Sequence, residues 1–355
     1  MSVKCQVILD AMERIAPRAM AEDWDNPGLL VGSPAQDVAR VLVCLDVSEA
    51  VIVRAVKERA ELIVSHHPLL FRPIKKLRTD LPQGRMLAQL VKNDIAVFAA
   101  HTNLDSAPDG VNDLLAQKLG LVDVEALSET YCEKYTKLVV FVPETHAEAV
   151  RAAIGKAGAG QIGNYSHCSF QVKGTGAFLP LEGARPYLGK AGALETVEEV
   201  RLEAILPQKI APRVVRAMLR AHPYEAAAYD LYPLENVVGA TGLGRIGRLP
   251  QPQPLEAFCS AVKAALGLPQ LRLAAGDRDK LVKKVALCGG SGADLAAKAA
   301  YRGADVFVTG DVKYHDAQKA LESGVALIDA CLLYTSSALT TLCACTSRRS
   351  AGCLS

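Results

Sequence analysis

The sequence predicts an α/β protein with a discontinuous core, made of two related α/β units with an α+β domain inserted between them. Three observations predict this fold. Apolar, β-branched runs alternate with helix-like segments over the first 120 residues, the alternation returns after residue 280, and the stretch between has a different order of elements. Strands that alternate with helices form parallel sheets with right-handed crossovers, so we expect a parallel sheet in each outer region.

The first region carries three predicted strands that alternate with helices. The strands are expected at 40–47, 62–64 and 95–100, and the helices at 48–60, 84–93 and 110–119. Ser48 is the predicted N-cap of the first helix, because a serine hydroxyl accepts a hydrogen bond from a free amide of the first turn.

The region after residue 280 repeats this pattern. Its strands are expected at 283–288, 304–308 and 325–329, and its helices at 292–302 and 315–323. The step from Cys44 to Ser65 is 21 residues, and so is the step from Cys288 to Thr309. The repeat predicts two related units that face a shared cleft.

The middle of the chain follows a β-α-β-β-α-β order. Strands are expected at 136–143, near 168–170, at 197–205 and at 226–232, with helices at 146–157 and 211–221. This order is typical of a ferredoxin-like domain. The predicted domains are therefore 1–130 and 235–330 for the two halves of the core, and 131–234 for the insert.

Composition excludes several classes of protein. Half of the 355 residues are hydrophobic, yet no apolar run approaches the roughly 18 residues of a membrane span. A net charge of +2 without long basic blocks makes nucleic acid an unlikely partner. The first residues do not resemble a signal peptide, so we expect a cytoplasmic protein with reduced cysteines.

The last 25 residues break with the rest of the sequence. From Cys331 onward there is no Asp, Glu or Lys, and neither helical nor strand periodicity persists. We interpret 331–355 as non-native read-through, with a disordered tail as the alternative.

Two polar clusters follow predicted strands of the first region. Ser65-His66-His67-Pro68 comes after the second strand, and the segment from His101 to Asp105 comes after the third. Adjacent histidines within a strand point to opposite faces, so we expect a turn at Pro68 to bring them together. An isolated His-His pair can equally be one structural and one exposed histidine, but the second cluster favours a divalent-metal site.

Five sequence blocks resemble the GTP cyclohydrolase 1 type 2 homologues, the NGG1-interacting-factor-3-like family. They lie at 24–32, 65–69, 101–105, 242–247 and 309–316, and they read WDNPGLLVG, SHHPL, HTNLD, GLGRIG and TGDVKYHD. The middle of the chain, through GNYSHC at 163–168 and HPYE at 222–225, resembles the PII/CutA-like insert of the longer family members. The resemblance covers about residues 1–330.

This resemblance implies a homohexamer with two divalent cations per subunit. His66 would bind one cation, and His67 and Asp105 would bind the other; Zn, Fe, Mn and Co all suit such ligands. Family members add a His and a Glu after the last strand. Leu332 and Ser336 stand at those positions here, so we expect an incomplete site.

Two functions remain open at this point. One is metal-dependent hydrolysis of a nucleotide or related compound, and the other is a non-catalytic metal-binding or regulatory scaffold. His101 and His315 are either partners of the metal ligands or structural residues, and His222 is a weaker candidate for the metal cavity. No catalytic residue is assigned.

Glycine-rich segments suggest a third reading, dinucleotide binding. Gly242, Gly244 and Gly247 match the spacing of a dinucleotide fingerprint, but the prolines at 250, 252 and 254 argue against the helix that such a site needs. We therefore expect these glycines to permit turns or close packing. The turn at 289–292 is a better phosphate cradle, although a tight connection without ligand explains it as well.

Overall fold

The structure is a computed structural model that describes residues 2–330. The segment 331–355, with the interpretation of the tail and the positions of Leu332 and Ser336, lies outside the described residues. The chain forms two compact units. Of the described residues, 2–131 and 241–330 belong to the first, called the core unit below, and residues 132–240 form the second, called the inserted unit.

Among the described residues, the two units together contain ten α-helices. They are α1 (Cys5–Ile15), α2 (Glu49–Glu58), α3 (Pro82–Lys92), α4 (Thr102–Ser106), α5 (Val111–Lys118), α6 (Ala147–Lys156), α7 (Ala211–Ala221), α8 (Leu255–Leu266), α9 (Ala296–Tyr301) and α10 (Tyr314–Glu322). Short 3₁₀ turns lie at Arg18–Met20, Glu144–His146, Gln208–Ile210 and Ala293–Leu295.

Strands alternate with these helices along the chain. They are β1 (Val3–Lys4), β2 (Gly28–Val31), β3 (Asp37–Val38), β4 (Val41–Cys44), β5 (Leu62–Ser65), β6 (Ala96–Ala99), β7 (Val122–Ala126), β8 (Tyr131–Pro143), β9 (Phe170–Phe178), β10 (Glu195–Pro207), β11 (Tyr229–Thr241), β12 (Arg245–Pro254), β13 (Arg272–Ala274), β14 (Leu281–Leu287), β15 (Val306–Thr309) and β16 (Ala326–Asp329).

The core unit contains two main sheets, each with three neighbouring parallel strands. One has the order β2-β6-β5-β4, and β4, β5 and β6 are parallel. The other has the order β13-β16-β15-β14-β12-β7, and β14, β15 and β16 are parallel. The predicted alternation of strands and helices in both outer regions is confirmed.

The central parallel strands β5, β6, β15 and β16 are largely buried, and their neighbouring residues point to opposite faces of the sheet. Phe98 of β6 and Val308 of β15 belong to one hydrophobic core that both sheets share. Val97 packs instead with residues of α2 and α3, and Phe307 packs with residues of α9 and α10. Each sheet therefore lies between the shared core and its own pair of helices.

The inserted unit is a four-stranded sheet with two helices. Its strand order is β11-β8-β10-β9, and β10 runs antiparallel to both β8 and β9. Leu138, Leu202, Val214 and Met218 belong to its separate core. The last strand, β11, continues past residue 234, where the sequence predicts the insert to end.

The chain leaves and re-enters the core unit at hydrogen-bonded neighbours. The Ser128 amide donates to the Leu243 carbonyl at 3.0 Å, and the Thr130 amide donates to the Thr241 carbonyl at 3.0 Å. A Cβ on Gly242 would lie 1.7 Å from the Ser128 carbonyl oxygen, so this close approach requires glycine.

The dinucleotide hypothesis for the glycines around Gly244 is wrong. A strand, β12, follows them where a dinucleotide site needs a helix. A Cβ on Gly247 would lie 2.9 Å from the Val122 carbonyl oxygen, so close packing explains that glycine. Among residues 2–330, no helix is both long and apolar enough to cross a bilayer.

Candidate metal centre

The carboxyl ends of β4, β5 and β6 lie side by side. Cys44 pairs with Ser65, and Ser65 pairs with Ala99, so the strands end in register. The segments that follow them leave the same edge of the sheet, where open α/β sheets bind ligands. His66, His67 and His101 come directly after this edge.

His66 is held by backbone contacts on both sides. Its amide donates to the Cys44 carbonyl at 3.2 Å, and its Nδ1 lies 2.8 Å from the Ala100 carbonyl oxygen. Because a carbonyl only accepts, Nδ1 carries the proton and Nε2 keeps the lone pair. Burial lowers the pKa of His66, with Asp105 opposing, so the neutral ring that binds metal is favoured.

His67 turns out of the strand beside its neighbour. Its amide donates to the Leu45 carbonyl at 2.9 Å, while the Ser65 hydroxyl donates to the His67 carbonyl at 2.9 Å. The two imidazole centroids are 5.0 Å apart. Nδ1 of His67 lies 2.7 Å from a carboxylate oxygen of Asp46, so its Nε2 is also the atom left for a ligand.

His101 completes a group of three imidazoles. Its Nδ1 lies 2.8 Å from Oδ1 of Asp25, whose other oxygen accepts from the Thr102 amide at 3.0 Å. Burial opposes ionisation of Asp25, but hydrogen bonds from His101, the Thr102 hydroxyl and the Asn26 amide, together with the nearby His101, outweigh it and hold the pKa of Asp25 at about 2. One nitrogen from each of the three histidines lies within 4.8 Å of the others, a spacing that suits a metal ion.

Asp105 faces this group from α4. One carboxylate oxygen lies 3.8 Å from Nε2 of His66. Burial raises the pKa of Asp105, with His66 opposing, and a buried carboxylate of this kind is stabilised by a nearby cation. The structure thus brings together the three residues that the sequence predicts as ligands, and adds His101 to them.

The other sheet supplies the opposite wall of a cavity of about 660 Å³. The wall includes Asp311 after β15 and the turn 289–292 after β14. Within this turn, the Gly289 amide donates to the Asn112 side chain at 2.7 Å, and the Gly292 amide donates to the Thr309 hydroxyl at 3.0 Å. Because two amides of the turn are already bonded, the phosphate-cradle reading loses support.

The other candidate histidines lie elsewhere. His315 is exposed on α10 and contacts Tyr314. His222 is buried in the inserted unit, where its Nε2 lies 2.9 Å from the Phe141 carbonyl oxygen. Neither belongs to the three-histidine group, and the contacts of His222 are those of a structural residue.

Comparison with known proteins identifies the family. The profile of the Duf34/NIF3 (NGG1p interacting factor 3) family matches residues 3–332. The chain is 48% identical over 324 residues to a Halalkalibacterium halodurans protein called GTP cyclohydrolase 1 type 2 homolog, covering 91% of this chain and 87% of that one. It is 46% identical over 328 residues to the Bacillus subtilis protein of the same name, covering 92% and 88%.

A solved structure agrees with this assignment. A Bacillus cereus protein related to NIF3 superimposes with a TM-score of 0.85 and 46% sequence identity, over 94% of this chain and 89% of that one. The chain therefore belongs to the Duf34/NIF3 family, and the resemblance seen in the sequence is confirmed.

Proposed function

We propose that this protein binds two divalent cations in the cavity beside His66, His67 and Asp105 and acts as a metal-dependent hydrolase on a nucleotide or related compound. One observation gives the main support for the metal site. Every imidazole of the group has its Nδ1 occupied by a fixed acceptor, so Nε2 of each ring is the atom presented for binding. The name of the related Bacillus subtilis protein supports a nucleotide substrate.

The ligands present fit divalent Zn, Fe, Mn or Co. Imidazole with carboxylate is a donor set that these metals accept. We assign His66 to one cation, and His67 with Asp105 to the other; a nitrogen of His101 lies within 4.8 Å of a nitrogen of His66 and of His67. When bound, such cations supply Lewis-acid activation of water and of a phosphoryl or carbonyl oxygen. The chain itself contributes fixed imidazoles and a buried carboxylate.

Elemental analysis of the purified protein tests the metal site. In saturating Zn²⁺ or Mn²⁺, corrected for free metal in the buffer, the protein should bind up to two ions per chain, and only weakly, because Leu332 and Ser336 stand where two further ligands are expected. Asp105→Ala and His67→Gln should each lower this number. His315→Gln is the matched control, because it removes an exposed histidine outside the group. Equal metal content in all four proteins would contradict the assignment.

A measurement of catalytic turnover distinguishes the hydrolase hypothesis from the non-catalytic scaffold hypothesis. The metal-loaded protein should release product from at least one member of a nucleotide panel, and a chelator should abolish that release. Bound metal without turnover on any nucleotide would favour a non-catalytic metal-binding or regulatory scaffold.

We also propose a homohexamer in the cytoplasm, with a ferredoxin-like insert of the PII/CutA type. The β-α-β-β-α-β order and the strand order of the inserted unit support the insert assignment.

The six cysteines among residues 2–330 are free thiols, which suits a reducing compartment such as the cytoplasm. Light scattering on the purified protein measures the number of subunits.

A further inference from the structure

Two exposed aromatic side chains border the candidate metal centre. Trp24 is 58% exposed and Phe71 is 44% exposed, and both line the cavity that contains the histidines. Their ring centroids are 5.9 Å apart. Each ring also lies close to the imidazole of His101, at 6.2 Å for Trp24 and 6.3 Å for Phe71.

Hydrogen bonds fix the segments that carry these rings. The side-chain amide of Asn26, two residues after Trp24, donates to the carbonyl of Leu70, the residue before Phe71, at 2.6 Å. Asp25 is bonded to His101 and Thr102 at the start of α4. Because these segments are fixed before a ligand binds, ordering their backbone costs little entropy on binding.

The two rings form a corner rather than a flat surface. Their planes are tilted by 59°. A planar ligand ring that stacks on one of them presents its edge to the other, and both arrangements are favourable for aromatic pairs. The cavity of about 660 Å³ falls in the size range of small-molecule sites.

We propose that Trp24 and Phe71 bind a planar aromatic ring of the substrate while the rest of the substrate extends toward His66, His67 and Asp105. This inference rests on the proposed function, since it specifies the substrate class of the same site. It requires a nucleobase or a similar ring and excludes a sugar phosphate that lacks one.

Tryptophan fluorescence provides a direct test, because Trp24 is the chain's only tryptophan. The probes are GMP and ribose 5-phosphate, which share the sugar and phosphate but differ in the base. GMP should quench the fluorescence saturably, and ribose 5-phosphate should not. Phe71→Ala should weaken GMP binding about tenfold, since stacking one base on an aromatic ring contributes about 1–3 kcal/mol.

Two further variants complete the experiment. Trp24→Ala, measured by calorimetry, should weaken GMP binding to a similar extent. Tyr301→Ala is the matched control, because Tyr301 is 92% exposed and does not line the cavity. Thermal unfolding and metal content are measured on every variant to show that the fold and the metal site are retained.

Equal binding of GMP and ribose 5-phosphate would overturn the inference, and so would the absence of GMP binding or unchanged affinity in both Phe71→Ala and Trp24→Ala. Titration of metal-free protein separates this result from the proposed function. If the metal-free protein still prefers GMP over ribose 5-phosphate, and elemental analysis of the metal-exposed protein finds no bound metal, the aromatic site stands and the metal site fails.

Discussion

Asp25 orients the imidazole of His101 and determines which of its nitrogens carries the proton. Its carboxylate is fully buried, and its hydrogen bonds to His101 and Thr102 keep the pKa at about 2 despite burial. A charged acceptor on Nδ1 orients the ring, fixes the proton on Nδ1 and makes Nε2 a better donor to metal. In the proposed metal site, Asp25 would therefore act through His101 as a positioning residue.

Replacing Asp25 should weaken metal binding. Asp25→Asn removes the charge behind His101, and the loss of such a partner lowers metal affinity about 10- to 100-fold. Competition with a chromogenic chelator measures the Zn²⁺ affinity. Asp23→Asn, a neighbouring exposed carboxylate, is the control and should bind Zn²⁺ like the unmodified protein. Equal affinities for both variants would show that Asp25 does not orient a ligand.

The sequence predicts that His66, His67 and Asp105 lie near one another, but it does not predict the residues that support them. His66, His67 and Asp105 were predictable because their segments follow strands whose ends must meet. Asp25 bonds to a histidine 76 residues away, and Asp46 bonds to one 21 residues away. Such pairs form only when the loops fold over the edge of the sheet. The spacing of residues along the sequence therefore does not predict them.

At the scale of elements, regular periodicity gave accurate predictions. The Ser48 hydroxyl accepts from the Val51 amide at 3.3 Å, so the predicted N-cap of α2 is confirmed.

Strand β12 was not predicted, because its prolines disfavour a strand. Its register breaks between Arg248 and Gln253, where the pairing is irregular. Strand β9 begins near the predicted residues but continues to Phe178. Its sequence is exposed and contains glycines, so it lacks the alternation of apolar residues by which a strand is recognised.

His222 links the end of α7 to β8 through its neutral ring. The Tyr224 amide donates to Nδ1 at 3.1 Å, so Nε2 carries the proton that bonds the Phe141 carbonyl oxygen. Protonating Nδ1 would break the first of these bonds. Burial lowers the pKa of His222, and the Phe141 carbonyl and Glu199 oppose this effect while His146 adds to it.

This arrangement predicts a loss of stability in acid. Because the folded-state pKa is below the ordinary value of about 6.5, unfolding takes up a proton between these two values, and stability falls as the pH drops through that window. Urea unfolding should show a smaller loss on acidification for His222→Gln than for the unmodified protein. His167→Gln, an exposed histidine of the same unit, should behave like the unmodified protein. Identical pH dependence in all three would exclude the His222 contribution.

At the scale of the whole molecule, Arg245 joins distant parts of the core unit. It is 4% exposed, and its guanidinium donates to the Gly242 and Gly244 carbonyls at 2.8 Å. It also pairs with Asp113 of α5, 132 residues earlier in the chain. One side chain thus connects the halves of the core unit that precede and follow the insert.

Arg245→Ala should destabilise the core unit by about 3 kcal/mol, because it leaves the part-buried Asp113 carboxylate and several carbonyls without a donor. Urea unfolding measures the change. Arg54→Ala removes an exposed arginine paired with Glu58, and it should leave stability nearly unchanged because solvent screens that pair. Similar losses in the two variants would show that burial does not decide the contribution.

The hydrogen bond between Thr130 and Thr241 closes the core unit at the two points where the insert is attached. A short turn could therefore replace everything between them at little entropic cost, since the ends already meet. Such a replacement would leave the sheet edge that carries His66, His67 and His101 unchanged, because no residue of that edge lies between the two attachment points.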